Sequence, residues 1–324
     1  MRNIVLGVIL IIGLMACSKR EEQVAPAHGV SQTPLPETSS SAGKRPNILL
    51  IVADDLGYAD LGVYGGDIDT PNLDALAKAG VQFTNFHVAP TCSPTRSMLF
   101  SGTDNHIAGI GNMFETTQPN QKGKPGYEGH LNFRVASLAS LLRDSGYHTY
   151  MAGKWHLGRS EETSPAARGF ERSFSLDQGG SGHFDDMGLD VREPFSTYRE
   201  DGKKVSLPKD FYSSEFYTDK LLQYMRERSV DGEPQDEKPF FAYLAFTAPH
   251  WPLQATEEQL AKYVGKYDRG YDVAYTERIA RMRQLGLVGD DPVLPMRAAN
   301  QPAWVELSDH QKKIEARKME LFAA

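Results

Sequence analysis

The run "NILLIVA", residues 47–53, constrains the fold more than any other stretch of the chain. It is apolar from Ile48 to Ala53, rich in aliphatic side chains, and stops at Asp54, Asp55 and then Gly57. Such a run predicts a strand buried on both faces, as in a parallel sheet covered by helices. Parallel strands need long crossovers, and helical patterns follow where they are needed. In "TPNLDALAKAG", Thr70 can cap, Pro71 suits the first helical position, Leu73, Leu76 and Ala77 share a face, and Gly80 stops the helix. "VQFTNFHVA", residues 81–89, predicts a second strand. "RVASLASLLRDSG" predicts a helix closed by Gly146, "YHTYMAG" a third strand, "SSEFYTDKLLQYMRER" a long amphipathic helix and "PFFAYLAFTAP" a fourth, buried strand. The expectation is an α/β fold with a largely parallel (mixed) central sheet flanked by helices. At 324 residues, 40% hydrophobic and 24% charged, the chain has the composition to build a large core of this kind.

The N-terminus reads as a targeting segment. Arg2, the short apolar run "IVLGVILIIGLMA" and small Ala16 before Cys17 predict a signal peptide over residues 1–16. Residues 18–45 are polar and rich in Pro, Ser and Thr, so residues 17–45 predict a flexible tether, whose coil dimensions give a reach of roughly 30 Å. The folded domain is expected over 46–324. No later apolar run is long enough to span a bilayer. A net charge of −7 argues against a nucleic-acid partner, which needs clustered positive charge.

Ligands of open α/β sheets bind beyond the carboxyl ends of the strands. Asp54 and Asp55 follow the first predicted strand, Cys92 the second, Lys154 and His156 the third, and His250 the fourth. After Cys92, "SPTRSMLF" reads as a helix start with Ser93 as N-cap and Pro94 at the first position. A helix N-terminus there favours an anion. Each residue also has a plain reading: Asp-Asp as a turn, Lys154 and His156 as surface residues, His250 as a core histidine, Cys92 as a small buried apolar group. Their common placement at one sheet edge favours a site. Two adjacent carboxylates repel unless a cation neutralises them, and oxygen donors without zinc-spaced Cys or His select Ca²⁺ or Mg²⁺.

"CSPTR", residues 92–96, matches the C-x-P-x-R signature of sulfatases, and "SMLFSG" continues it. With "PNILLIVADDLGYADLGVYG", "TPNLDALAKAGVQFTNFHV", "MAGKWHLG" and "FFAYLAFTAPHWPLQA", the likeness covers nearly all of residues 46–265. The chain resembles the formylglycine-dependent sulfatases of the alkaline phosphatase superfamily. "GTDNHIAGIG" and "KPGYEGHLN" bring it nearest to bacterial arylsulfatases. The resemblance implies that Cys92 is oxidised to Cα-formylglycine by a formylglycine-generating enzyme. One hydroxyl of the hydrated aldehyde then attacks sulfur, and sulfate leaves as the aldehyde reforms. It implies that Asp54, Asp55 and modified Cys92 hold Ca²⁺, that Arg96 steadies the hydrate, and that Lys154 faces the sulfate. His156 becomes the base and His250 the acid, an assignment that can be exchanged. His106, His130 and His183 are weaker candidates. "LMAC", residues 14–17, resembles a bacterial lipobox in which Cys17 is acylated, although Met15 is unusual there. The alternatives are cleavage nearby or a disulfide from Cys17 to Cys92. Lipidation implies a periplasmic protein anchored to the outer membrane; a monomer is expected.

The likeness departs at the C-terminus. Sulfatases of this kind take a further Asp-Asn pair for the metal and a further lysine for the sulfate from a later strand end, and neither is found here. Ser308 and Gln311 predict a capping box for the helix "DHQKKIEARKMELFAA", whose Met319, Leu321 and Phe322 are left without a closing signal, as if the chain were cut within an element. Three readings stay open: a sulfatase or its truncated catalytic domain, a phosphonate or phosphate ester hydrolase of the same superfamily, or a lipid-anchored protein that binds sulfate esters without turnover.

Overall fold

The computed structural model describes residues 45–230, 233–234, 236–292 and 297–324. The expected signal peptide, Cys17 and all of the tether except Arg45 lie outside them. Arg45 itself belongs to the domain, donating to the Ser145 carbonyl and lying 5.1 Å from the Tyr147 ring centroid.

Among the described residues ten strands occur in chain order: β1 Ile48–Asp54, β2 His148–Lys154, β3 Arg172–Leu176, β4 Met187–Asp190, β5 Glu193–Phe195, β6 Tyr198–Glu200, β7 Lys203–Val205, β8 Ser229–Val230, β9 Glu233–Pro234 and β10 Phe240–Pro249. The α-helices are α1 Pro71–Ala79, α2 Cys92–Ser101, α3 Leu138–Asp144, α4 Ser213–Glu227, α5 Glu257–Ala261, α6 Tyr271–Gln284 and α7 Asp309–Ala323. The main sheet has the order β1-β10-β2-β3-β6-β7. β1, β10, β2 and β3 are parallel, while β6 and β7 add an antiparallel edge. This is the mixed α/β sheet read from the sequence.

Alternation along β10 builds two layers of core. Phe241, Tyr243 and Ala245 join Phe100, Met151, Trp155 and Phe170 on one face. Ala242 and Leu244 join Tyr150, Phe174 and the α4 residues Tyr217, Leu221 and Tyr224 on the other. The first layer is crowded with rings: Phe100 lies 4.9 Å from Tyr243 and 5.5 Å from Trp155 between centroids. A separate cluster holds Tyr263, Tyr267, Trp304 and Ala316 around α7.

Three expectations need correction. The strand "NILLIVA" is not buried on both faces: Ile48, Leu50 and Val52 pack on the core, but Leu49 and Ile51 are 54% and 45% exposed. β1 is an edge strand paired with β10, and its outer face is uncovered among the described residues. "VQFTNFHVA" forms no strand; residues 81–89 run as irregular backbone with Val81, Phe83, Phe86 and Val88 exposed. β-Propensity describes residues that fit a half-buried pleated surface, and among the described residues no neighbouring strand offers these residues a ladder. The helix after them begins at Cys92 with Thr91 as N-cap, so Ser93 and Pro94 lie inside the first turn. At α7 the capping box forms, with Gln311 N–H 3.3 Å from Ser308 Oγ and Ser308 N–H 3.0 Å from Gln311 Oε1. Met319 packs on the Trp304 cluster.

Candidate active site

The site is assembled by α2 gripping the end of β2. Ser93 Oγ donates to the His156 carbonyl at 2.8 Å, and Arg96 Nη1 donates to the Lys154 carbonyl at 2.8 Å and to Tyr243 Oη at 2.9 Å. These bonds run from one face of the first helical turn, so they set Cys92, the first helical residue, over the strand end. Cys92 Sγ lies 3.4 Å from His156 Nδ1 and 3.6 Å from Met113 Sδ. Burial pushes the Cys92 thiol up, but the His156 hydrogen bond and the Lys154 charge more than offset it, leaving the thiol below its ordinary value.

Beneath Cys92 lies a buried charge cluster. Lys154, with no exposure, donates to Asp54 Oδ2, and Arg96 Nη2 approaches Asp54 Oδ1 at 3.6 Å. Burial raises the Asp54 carboxyl, and the Lys154 and Arg96 charges overcome it, so Asp54 is held below the usual carboxylate range. Arg96 Nη2 has no hydrogen-bond partner although it is buried.

Two residues at the sheet edge take left-handed backbone, Asp55 at φ 64° and His156 at φ 54°. Asp and His reach this region more readily than most residues, and such outliers often mark functional sites. The turn at His156 also needs Gly179, because a Cβ there would stand 2.7 Å from His156 Cε1. His250 follows β10, with Nδ1 2.6 Å from the Trp251 carbonyl and Nε2 3.7 Å from Asp55 Oδ2. Cys92, His156 and His250 all line one cavity of about 450 Å³, walled also by Met113, Arg159 and Trp251.

The sheet edge therefore brings together Asp54, Asp55, Cys92, Arg96, Lys154, His156 and His250. They divide into two depths: Cys92, His156 and His250 face the cavity, while Asp54, Arg96 and Lys154 lie buried behind it. The Asp55 side chain is 58% exposed. His106 and His130 make contacts elsewhere, to Asp104 and Tyr127 and to the Glu128 carbonyl. His183 is buried, pairing with Ser213 Oγ at 2.8 Å and the His250 carbonyl at 3.2 Å.

Two charged residues escaped the sequence reading. Glu115 Oε2 is 3.1 Å from His156 Nε2, and its other oxygen accepts from Arg159. Arg159 in turn donates to both Glu193 oxygens at 2.7 and 2.8 Å. Burial acts to raise Glu115, yet the His156 hydrogen bond and charge prevail and hold it far below the usual carboxylate range.

The sulfatase family model matches residues 46–297, from β1 through the residues after α6. The chain belongs to the sulfatase family. Among its relatives, this sulfatase is 45% identical over 292 residues to an uncharacterized sulfatase of Schizosaccharomyces pombe, covering 87% of this chain and 52% of that one. It is 43% identical over 285 residues to an arylsulfatase of Klebsiella aerogenes, covering 87% and 59%. The chain thus spans a little over half the length of these relatives. Its fold is similar to the crystal structure of Ps i-CgsB in complex with k-i-k-neocarrahexaose, with a TM-score of 0.58 at 31% identity over 75% of this chain and 53% of that one.

Calcium takes about six to eight oxygens. Asp54 and Asp55 offer the right hard donors, but Asp54 is engaged by Lys154 and Arg96, and no group of three or more His, Cys, Asp or Glu arranged for a metal occurs among the described residues. The donor chemistry suits calcium, and the two carboxylates would supply only part of such a shell.

Proposed function

We propose that this sulfatase-family chain carries the catalytic machinery of a sulfuric ester hydrolase acting on aryl sulfates. The observation that carries the proposal is the convergence at one sheet edge of Cys92, His156 3.4 Å away, His250 across the same cavity, and two buried cations behind them. Cleaving a sulfate ester requires a nucleophile, a base for it, an acid for the leaving oxygen and positive charge for the sulfate. Converted to Cα-formylglycine and hydrated, residue 92 supplies a diol that attacks sulfur and later expels sulfate. His156 Nδ1 takes the proton from position 92, and His250 gives a proton to the leaving oxygen. Arg96 has a buried Nη2 without a hydrogen-bond partner to offer oxygen ligands there, and Lys154 contributes charge from beneath. Asp54, Asp55 and residue 92 would hold part of a calcium shell, the ion supplying Lewis acidity. Similarity to the Klebsiella aerogenes arylsulfatase supports aryl substrates.

In the proposed cellular setting, Cys17 carries the lipid and the domain stands off the periplasmic side of the outer membrane. If so, Cys17→Ala releases the protein from membranes; a variant that still fractionates with them overturns the anchor.

The test is coexpression with a formylglycine-generating enzyme, mass spectrometry of the peptide containing "TCSPTR", and turnover of 4-nitrophenyl sulfate. The expected result is an aldehyde at residue 92 and activity abolished in Cys92→Ala. An active preparation in which Cys92 is wholly a free thiol would overturn the mechanism. Faster turnover of a matched phosphonate ester would overturn the substrate class.

A further inference from the structure

We infer that Glu115 is the positioning residue of His156: it fixes the imidazole with its proton on Nε2, so that Nδ1 meets position 92 with a free lone pair. The inference rests on the proposed role of His156 as base. Neutral imidazole holds one ring proton, and the partner of one nitrogen dictates the state of the other. Glu115 Oε2 stands 3.1 Å from Nε2 on the side of the ring opposite Cys92, which stands 3.4 Å from Nδ1. A carboxylate can only accept, so the hydrogen bond requires Nε2–H. In the neutral ring Nδ1 is then the acceptor, the state a base needs, whereas against a Cys92 thiolate it carries a second proton.

The carboxylate is itself held. Arg159 takes its second oxygen, is fixed from behind by Glu193, lies 4.5 Å from the Phe114 ring centroid, and has its own carbonyl bound by Arg199 Nη2 at 3.0 Å. The short 3-10 helix Phe114–Thr116 presents Glu115, and Thr116 and Thr117 bond back to the loop through Asn112 Oδ1 and the Met113 carbonyl. Glu115 is therefore restrained at both oxygens and through its backbone. Its negative charge also favours the imidazolium that forms once Nδ1 has taken a proton.

This state of His156 agrees with its proposed role as base. His250 has the reverse pattern, with Nδ1 bonded to the Trp251 carbonyl at 2.6 Å, which requires Nδ1–H and leaves Nε2 directed toward Asp55. The two histidines present opposite nitrogens to the cavity.

The test has two readouts. In the ¹⁵N-labelled full chain carrying Cys92→Ser, the parent for this readout because a neutral hydroxyl then faces Nδ1, long-range ¹H–¹⁵N correlation reports the His156 tautomer directly, assigned with His156→Gln. The expected result is Nε2–H in the parent and a mixed or reversed tautomer in Glu115→Ala. In aldehyde-bearing enzyme, normalised to aldehyde content, Glu115→Ala and Glu115→Gln should lower kcat roughly 10–100-fold, the range for losing a residue that orients a functional histidine. KM should stay within about 3-fold, since substrate contacts are untouched. Nδ1–H in the parent, or kcat within about 3-fold of it in both variants, overturns the inference. Inactive aldehyde-bearing enzyme, with His156 nonetheless Nε2–H in the Cys92→Ser chain and losing that state in Glu115→Ala, rejects the proposed function and supports the positioning role. Should Glu115→Ala fail to fold, the parent tautomer still decides.

Discussion

Lys154→Met isolates the electrostatics of the buried cluster. Methionine keeps most of the apolar stem and removes the ammonium. Asp54 is 4% exposed and Lys154 fully buried, so the abandoned carboxylate cannot be rehydrated in place. Removing one partner of a buried pair costs about 3–5 kcal/mol. Arg96 Nη2 remains 3.6 Å from Asp54, which puts the expectation at the lower end, about 3 kcal/mol. For a domain of this size, the corresponding fall in Tm is about 5 °C. Adding Asp54→Asn to Lys154→Met removes the stranded anion and should restore about 1–2 kcal/mol, the coupling expected of contacting residues. Urea unfolding of the parent, both single variants and the double variant at pH 7 reads these differences. A Lys154→Met protein within about 1 kcal/mol of the parent, or a double variant no more stable than Lys154→Met, would refute the reasoning.

Asp177, 1% exposed, is pushed up to about 6 by burial despite its 2.7 Å bond from Arg199. Its folded value lies above the ordinary 3.8, so the native state keeps a proton that the unfolded chain releases. Stability from this group is therefore full below about pH 4 and lost by about pH 6, to the extent of about 3 kcal/mol. Asp177→Asn should flatten the fall in urea midpoint between those pH values, and an unchanged slope speaks against it. Gly153 has φ 119°, and a Cβ there would lie 1.9 Å from the Ala245 carbonyl oxygen across the β2–β10 ladder. Gly153→Ala should cost at least about 3 kcal/mol, measured by thermal melting, or leave the protein insoluble. Trp155→Ala empties the ring cluster around Phe100 and should cost about 3–5 kcal/mol; a loss below about 1 kcal/mol would mean that the core collapses to fill the space.

Most of the architecture was legible because β2, β10 and α4 are buried as their patterns demand, and pattern is what burial writes into sequence. β1 misled because a continuous apolar run signals two covered faces, whereas coverage depends on what else packs there. Residues 81–89 misled for a related reason: Val81, Phe83 and Phe86 have strand composition, but no partner ladder. Asp54, Asp55, Lys154, His156 and His250 followed from a rule about strand ends, whereas the strand expected before Cys92 does not form, and CSPTR is what marks Cys92 and Arg96. Glu115 and Arg159 gave no such sign. Glu115 sits in a loop and reaches His156, 41 residues away in sequence, through a fold that brings the loop over the strand end. The signal for it is a carboxylate close to a motif, which is common on any surface.

The strand order has a consequence for how the protein comes to exist in the cell. β10 lies between β1 and β2, and Ile48 pairs with Phe241. The first strand emerges from the ribosome 193 residues before its partner, an interval of roughly 10–40 s at about 5–20 residues per second. Until β10 is made, β1, and later β2, each present an open parallel edge, and pairing them with one another closes the slot that β10 must enter. The native sheet is thus inaccessible to a chain folding in the order of its synthesis, and its rate is set by a contact that spans most of the domain. The parallel strands therefore cannot close into their native order before Phe240–Pro249 has been made.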